Sequence, residues 1–260
     1  RKALSPFILR RTKAQVAKDL PEKTEEFIYC DMEKKQKKLY VDLKNHYRAS
    51  LLNTIESQGI NKSKMHVLEA LLRLRQTACH AGLVNTEFID IPSVKLETLI
   101  VHIQEIIEEG HKCLVFSQFT QMLSLVCSRF EKEKIIYEYL DGKTRNRQEK
   151  VERFQNDETC KVFVISLKAG GTGLNLTAAD YVYILDPWWN PAVEAQAIDR
   201  THRIGQKNPV FAYRFICKDS VEEKIRDLQI TKKNLAESVL STEETIMQKL
   251  SVDDIQMLFS

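Results

Sequence analysis

The stretch Lys161-Val-Phe-Val-Ile-Ser-Leu-Lys-Ala-Gly-Gly-Thr-Gly173 decides the fold. Its first six residues indicate a short buried strand, and the other seven form a glycine-rich loop that leaves the end of that strand. Glycine lets backbone N–H groups approach an anion closely, so the loop suits a phosphate, although such loops also serve tight packing of a strand on a helix. The stretch predicts one strand of an α/β sheet with a candidate ligand loop at its carboxyl end.

Strands and helices alternate on both sides of this stretch. Ser93 is placed to cap a helix, and Gly110 suits the left-handed exit from it. We predict strands over residues 113–117, 135–140, 161–166, 181–186 and 210–216, and helices over 93–109, 120–131, 145–155 and 191–203. This order predicts a doubly wound α/β domain with a parallel sheet and helices on both faces.

The two ends of the chain differ from this central part. Before about residue 90 no alternation of strand and helix is visible, and apolar residues recur at helical spacing. We predict a linker and a mostly helical insertion over residues 1–92, the α/β lobe over 93–218 and a helical extension over 219–260. The insertion is either a protrusion beside the ligand cleft or a dimerisation surface.

The composition is that of an ordinary globular protein, 43% hydrophobic and 29% charged over 260 residues. No apolar run approaches the roughly 20 residues needed to cross a bilayer, so we expect no membrane contact. Six widely spaced cysteines without a Cys-x-x-Cys pair favour a reduced, intracellular compartment. The net charge of +3 is mild, so any affinity for a polyanion must come from where the cations lie.

Two glycine motifs invite interpretations that their spacing excludes. Asp141-Gly-Lys-Thr144 resembles the end of a phosphate-binding P-loop, but the first glycine of that motif would fall at Tyr137. Gly171-Thr-Gly173 begins like a dinucleotide fingerprint, but the third glycine position is Leu176. Neither motif predicts a nucleotide cofactor.

The loop Pro187-Trp-Trp-Asn-Pro191 follows the strand over 181–186. Aromatic side chains at such an edge either pack half-buried or stack on the sugars and bases of a nucleic acid. Asn190 is placed to cap the next helix, with Pro191 in its first turn.

That helix carries Gln196, Arg200 and Arg203 at four- and three-residue steps, so the three side chains would share one face. The face is either a solvated charged surface or a pair of arginine fingers, whose guanidinium groups neutralise charge on a transferring phosphoryl group.

Taken together, these pieces resemble the C-terminal motifs of superfamily-two helicases, in the Swi/Snf-related branch. The matching stretches are Leu114-Val-Phe-Ser-Gln-Phe119, Asp141-Gly-Lys-Thr144 with Arg147 and Phe154, residues 166–176 with Leu185-Asp-Pro-Trp-Trp-Asn-Pro191, and residues 196–206, which end in His-Arg-Ile-Gly-Gln. Upstream, Phe7-Ile-Leu-Arg-Arg11, Leu20-Pro-Glu-Lys23 and residues 36–40 resemble the segment that links the two lobes in this family.

The resemblance implies a RecA-like sheet, the second lobe of a P-loop NTPase-like motor, and a role for each matching position. Arg200 and Arg203 would be arginine fingers acting on ATP held by the other lobe, Gln196 would help to read the nucleotide state, and Gly173 would lie near the ATP cleft. The residues that would face DNA are Ser117, Gln118, Lys168, Gly170, Gly171 and, in the groove, Trp189.

Two motifs of a complete motor are absent from the sequence, the Gly-x-x-x-x-Gly-Lys-Thr phosphate loop and the Asp-Glu-x-His magnesium box. We therefore expect ATP and Mg²⁺ to be held mainly by a first lobe outside this chain, with no metal ligand here. For the isolated chain we expect negligible ATPase activity.

The resemblance implies a translocase on double-stranded DNA. The implied phosphate contacts fit this function, because they carry no sequence information and suit a motor that walks over any sequence. Expected partners are double-stranded DNA, the first lobe of the same protein and a DNA-bound protein as substrate. Two alternatives stay open: a strand-separating helicase with the same fold, and a non-catalytic DNA-binding or interaction module. The lack of accessory segments favours a prokaryotic, cytoplasmic protein over a nuclear one.

Overall fold

The computed structural model describes residues 20–58, 60–169, 173–187, 189–231 and 251–260, without the side chains of 52–62. In these residues six parallel strands form one sheet: β1 (Lys23–Cys30), β2 (Cys113–Ser117), β3 (Tyr137–Leu140), β4 (Val162–Ser166), β5 (Tyr181–Ile184) and β6 (Val210–Cys217), in the order β1-β6-β5-β2-β4-β3. The helices are α1 (Lys34–Gln58), α2 (Ile60–Cys79), α3 (Val94–Glu108), α4 (Thr120–Glu133), α5 (Arg147–Asn156), α6 (Pro191–Ile198), α7 (Val221–Thr231) and α8 (Val252–Leu258), with short 3₁₀ turns at Ala81–Leu83 and Thr86–Phe88.

Helices cover both faces of this sheet, as predicted. Successive residues of a strand point to opposite faces, and β2 is buried along its whole length. Val115 belongs to one apolar core together with Val126 of α4. Phe116 belongs to a second core with Phe154 of α5 and Ile198 of α6. The α/β class and the parallel sheet are therefore confirmed.

No strand was predicted within the mostly helical segment 1–92, whereas the structure places β1 there. This strand pairs in parallel with β6, from Lys23 opposite Val210 to Cys30 opposite Cys217. It is an edge strand rich in charged residues, as edge strands are when they avoid pairing with other chains, and most of it is exposed. The buried apolar pattern from which the central strands were predicted is therefore missing in β1. The sheet extends across the predicted boundary at residue 92.

Two helices, α1 and α2, follow β1 in the first segment, as predicted. α1 and α2 pack on each other, and α2 also contacts α7, so the insertion rests against the predicted C-terminal extension. The linker motif at residues 7–11 lies outside the described residues. Among the helices that are described, none is both long enough and apolar enough to cross a membrane.

Candidate functional site

The loops that follow β2, β4 and β5 start side by side at the carboxyl edge of the sheet, because β2 lies between β4 and β5. Ser117 at the end of β2 stands opposite Ser166 at the end of β4, and the Leu167 N–H donates to the Ser117 carbonyl over 2.9 Å. The chain leaves β4 on one side of β2 and enters β5 on the other. Such a switch point is where open α/β sheets bind ligands.

Asp186 occupies the centre of this edge, with no exposed surface. Its carboxylate accepts the Gln118 N–H at 3.1 Å and is also hydrogen-bonded by the Ser117 side chain. Burial raises the pKa of Asp186 to about 6, because the Ser117 hydroxyl and the nearby Arg75 cation offset the loss of hydration only in part. Asp186 therefore ties the turn after β2 to the turn after β5.

The pH dependence of stability should report on this buried carboxyl. Its pKa is raised on folding, so the stability it contributes is present at low pH and is lost as the pH rises through about 6. The unfolding free energies of wild type and Asp186→Asn can be compared by chemical denaturation at pH 7.5 and at pH 5. When the pH is lowered from 7.5 to 5, wild type should gain about 1.4 kcal/mol of stability relative to the variant. A difference that is flat with pH would show that Asp186 titrates normally.

Two residues with predicted DNA contacts point into the protein. Ser117 is fully buried, and its side chain is engaged by Asp186 and by the Phe119 N–H at 3.0 Å. Trp189 is 6% exposed within the apolar core, and its carbonyl accepts from the Gln229 amide at 2.8 Å. Burial favours the packing alternative for Trp189, and the roles of both residues in binding DNA stay predictions.

Other predicted contacts lie nearer the surface. Lys168 is exposed just after β4, and Gln118 is half-buried after β2. The Gln118 Nε2 donor has no acceptor among the described residues. Gly170 and Gly171 lie outside those residues. Among the described residues, the edge therefore offers the exposed Lys168 amine, whereas the unpaired amide donor of Gln118 is itself buried.

The predicted helix over 191–203 was too long, because α6 ends at Ile198. Asn190 caps its start as predicted, accepting the Ala192 N–H at 3.0 Å. At the other end the Ile198 carbonyl accepts both the Thr201 hydroxyl and its N–H, and turns follow. Gln196 is exposed on the helix, whereas Arg200 and Arg203 lie on these turns, so the single helical face inferred from spacing does not exist.

Arg200 is the most unusual cation of the site. It is 5% exposed, its Nε has no hydrogen-bond partner among the described residues, and no ion pair within them reaches Arg200 or the exposed Arg203. Burial lowers the pKa of Arg200, and the neighbouring Arg203 cation lowers it further. A buried guanidinium beside a like charge opposes folding, so this arrangement suits an external anion.

The backbone joins these arginines to the glycine-rich loop. The Leu176 N–H donates to the Arg200 carbonyl over 3.1 Å. Gly173, three residues earlier, has a φ of +42°, in the left-handed region that favours glycine, and is exposed. Farther along, the Gln206 amide donates to the Ala179 carbonyl at 2.7 Å. The segment from Arg200 to Gln206 is thus held against the loop after β4.

No role was predicted for Arg75 or Asp186, although the sequence around each residue is unusual. Arg75 interrupts the apolar series of α2, where the side chains around it are buried. Asp186 is an acid directly after a buried strand. Within the described residues, no three carboxylate, imidazole or thiol side chains are arranged to hold a metal ion.

Comparison with known proteins gives a consistent picture. Residues 94–205 match the helicase conserved C-terminal domain, and residues 1–83 match the SNF2-related domain. An uncharacterized ATP-dependent helicase of Mycoplasma pneumoniae is 36% identical over 98% of this chain, which spans 24% of that protein.

Two solved structures have folds similar to that of this chain. The SWI2/SNF2 ATPase C-terminal domain of Sulfolobus solfataricus is 30% identical, with a TM-score of 0.72, covering 91% of this chain and 98% of the domain. The Sulfolobus ATPase core in complex with double-stranded DNA is 32% identical, with a TM-score of 0.76, covering 99% of this chain and 55% of that core.

Proposed function

Since the chain belongs to the SNF2-related family of helicase-like proteins, we propose that it is the second lobe of an ATP-driven motor that translocates on double-stranded DNA. The alignment lengths support a half-motor: the chain accounts for 98% of the Sulfolobus C-terminal domain but 55% of the ATPase core. A first lobe, in another part of the protein, would complete the nucleotide cleft.

The observation that carries this proposal is the buried Arg200, whose Nε lacks a partner among the described residues. ATP and Mg²⁺ would be held mainly by the first lobe, and Arg200 and Arg203 would approach the phosphates from this one. Guanidinium groups placed there stabilise charge on a transferring phosphoryl group. Gln196, exposed at the end of α6, and Gly173 would line the same cleft.

The carboxyl edge of the sheet would take the DNA backbone. Lys168 is exposed there, and the half-buried Gln118 has an amide donor without an acceptor among the described residues. Contacts from such groups to phosphate fix a duplex in place without reading its sequence, as a translocating motor requires. The DNA complex of the Sulfolobus relative supports this assignment.

The complete protein should hydrolyse ATP in response to double-stranded DNA and displace a third strand from a triplex without separating the duplex. The isolated chain should not turn over ATP at saturating duplex DNA. Duplex unwinding would instead support the strand-separating helicase. If the complete protein binds DNA but its ATP turnover does not respond to it, the chain is a non-catalytic binding module.

A further inference from the structure

Arg75 of α2 reaches both turns that carry the proposed DNA contacts. It is 1% exposed, and its Nη2 donates to the Pro187 carbonyl over 2.6 Å. Its guanidinium also lies over the Phe119 ring, 5.9 Å from the ring centroid. One side chain of the insertion therefore contacts the turn after β2 and the turn after β5.

The two turns are also joined directly to each other by a hydrogen bond. Asp186, whose charge is stabilised by Arg75, takes the backbone N–H of Gln118. Arg75 therefore lies close enough to stabilise the charge of the carboxylate that joins the two turns.

Other carbonyls of the turn after β5 are held by helices outside the insertion. The Leu185 carbonyl accepts from Lys95 of α3 at 2.7 Å, and the Trp189 carbonyl accepts from Gln229 of α7 at 2.8 Å. The Pro187 carbonyl, between them, is bonded to the insertion. A displacement of α2 would therefore move the Pro187 carbonyl relative to the carbonyls that α3 and α7 hold.

We propose that Arg75 is a positioning residue that couples the helical insertion to the DNA-binding edge, so that the position of α2 sets the affinity of the motor for duplex DNA. This inference rests on the proposed function. A buried charge is a poor choice for stability alone, since apolar side chains of similar volume often serve as well. The planar guanidinium instead donates a hydrogen bond in one fixed direction, toward the Pro187 carbonyl, while it lies over the ring of Phe119.

The test is a titration of duplex DNA against the ATPase rate of the complete protein. Arg75→Met should raise the DNA concentration for half-maximal stimulation about tenfold and leave the rate at saturating DNA within about twofold. Arg75→Lys should restore part of the affinity, because it keeps the charge without the fork. Arg73→Met is the matched control on the same helix, since Arg73 is half-buried and bonded to Gln76 of its own helix, and it should behave as wild type.

The variants separate positioning from simple destabilisation. If Arg75→Met fails to fold, Arg75→Met/Asp186→Asn removes both buried charges, and its DNA titration should show the same loss of affinity. Unchanged half-saturation in the folded variant, or a parallel fall in melting temperature, affinity and saturated rate, overturns the positioning role. A wild-type protein whose ATPase ignores DNA would overturn the proposed function as well, whereas the first two results leave that function standing.

Discussion

Arg200→Ala in the complete protein should lower ATP turnover at saturating DNA by about 10³-fold or more, with little change in DNA affinity. The guanidinium is buried, carries no carboxylate partner among the described residues and lies beside Arg203. A charge held in that way is poised to stabilise phosphate charge that develops during hydrolysis, so its loss should appear in the rate of the chemical step. Steady-state ATPase assays across a DNA titration measure both quantities.

The control for Arg200 is an arginine whose charge is already neutralised. Arg129 on α4 makes ion pairs with Glu97 and Glu133, each at 2.8 Å, and Arg129→Ala should leave turnover near wild type. Arg200→Lys should recover only part of the rate, because an ammonium lacks the planar fork. Turnover by Arg200→Ala close to that of wild type would remove the finger assignment and leave the fold untouched.

The strands predicted well are those in the middle of the sheet. β2 and β4 are buried on both faces, so their sequences are continuous apolar runs that few other structures would explain. β1 lies at the edge of the sheet, where one side has no neighbouring strand in the described part of the chain, and its charged residues resemble those of a loop. Sequence patterns report burial, and an exposed edge strand carries little of it.

The sequence predicted which loops form the site, but it did not predict where their side chains point. Residues at the carboxyl ends of parallel strands must share an edge, so the convergence of the turns after β2, β4 and β5 follows from topology. Whether Ser117 faces DNA or Asp186 depends on partners far away in the chain. Arg75 lies 112 residues before its acceptor Pro187, and no local spacing encodes such a contact.

A second such long-range contact holds the lobe together. Lys95 is fully buried at the start of α3, and its Nζ donates to both carboxylate oxygens of Glu222 at 2.7 Å and to the carbonyls of Leu185 and Phe215 at 2.7 and 3.1 Å. Burial alone would lower the pKa of Lys95, but the adjacent Glu222 carboxylate raises it above its ordinary value. One ammonium group thus joins α3, α7 and the ends of two strands.

Lys95→Met should lower the unfolding free energy of this chain by about 3–5 kcal/mol, because it strands the Glu222 carboxylate in the core. That is a large part of the 5–15 kcal/mol or so that holds a domain folded. Lys95→Met/Glu222→Gln should regain much of the loss, since neither charge of this pair remains and the amide oxygen can still accept the Cys217 N–H, now 2.9 Å from the carboxylate. Lys37→Met, which breaks an exposed pair with Asp219, should change little. Urea denaturation of wild type and the three variants measures these differences in unfolding free energy. If the double variant is no more stable than Lys95→Met, the unpaired Glu222 carboxylate is not the cause of the loss of stability.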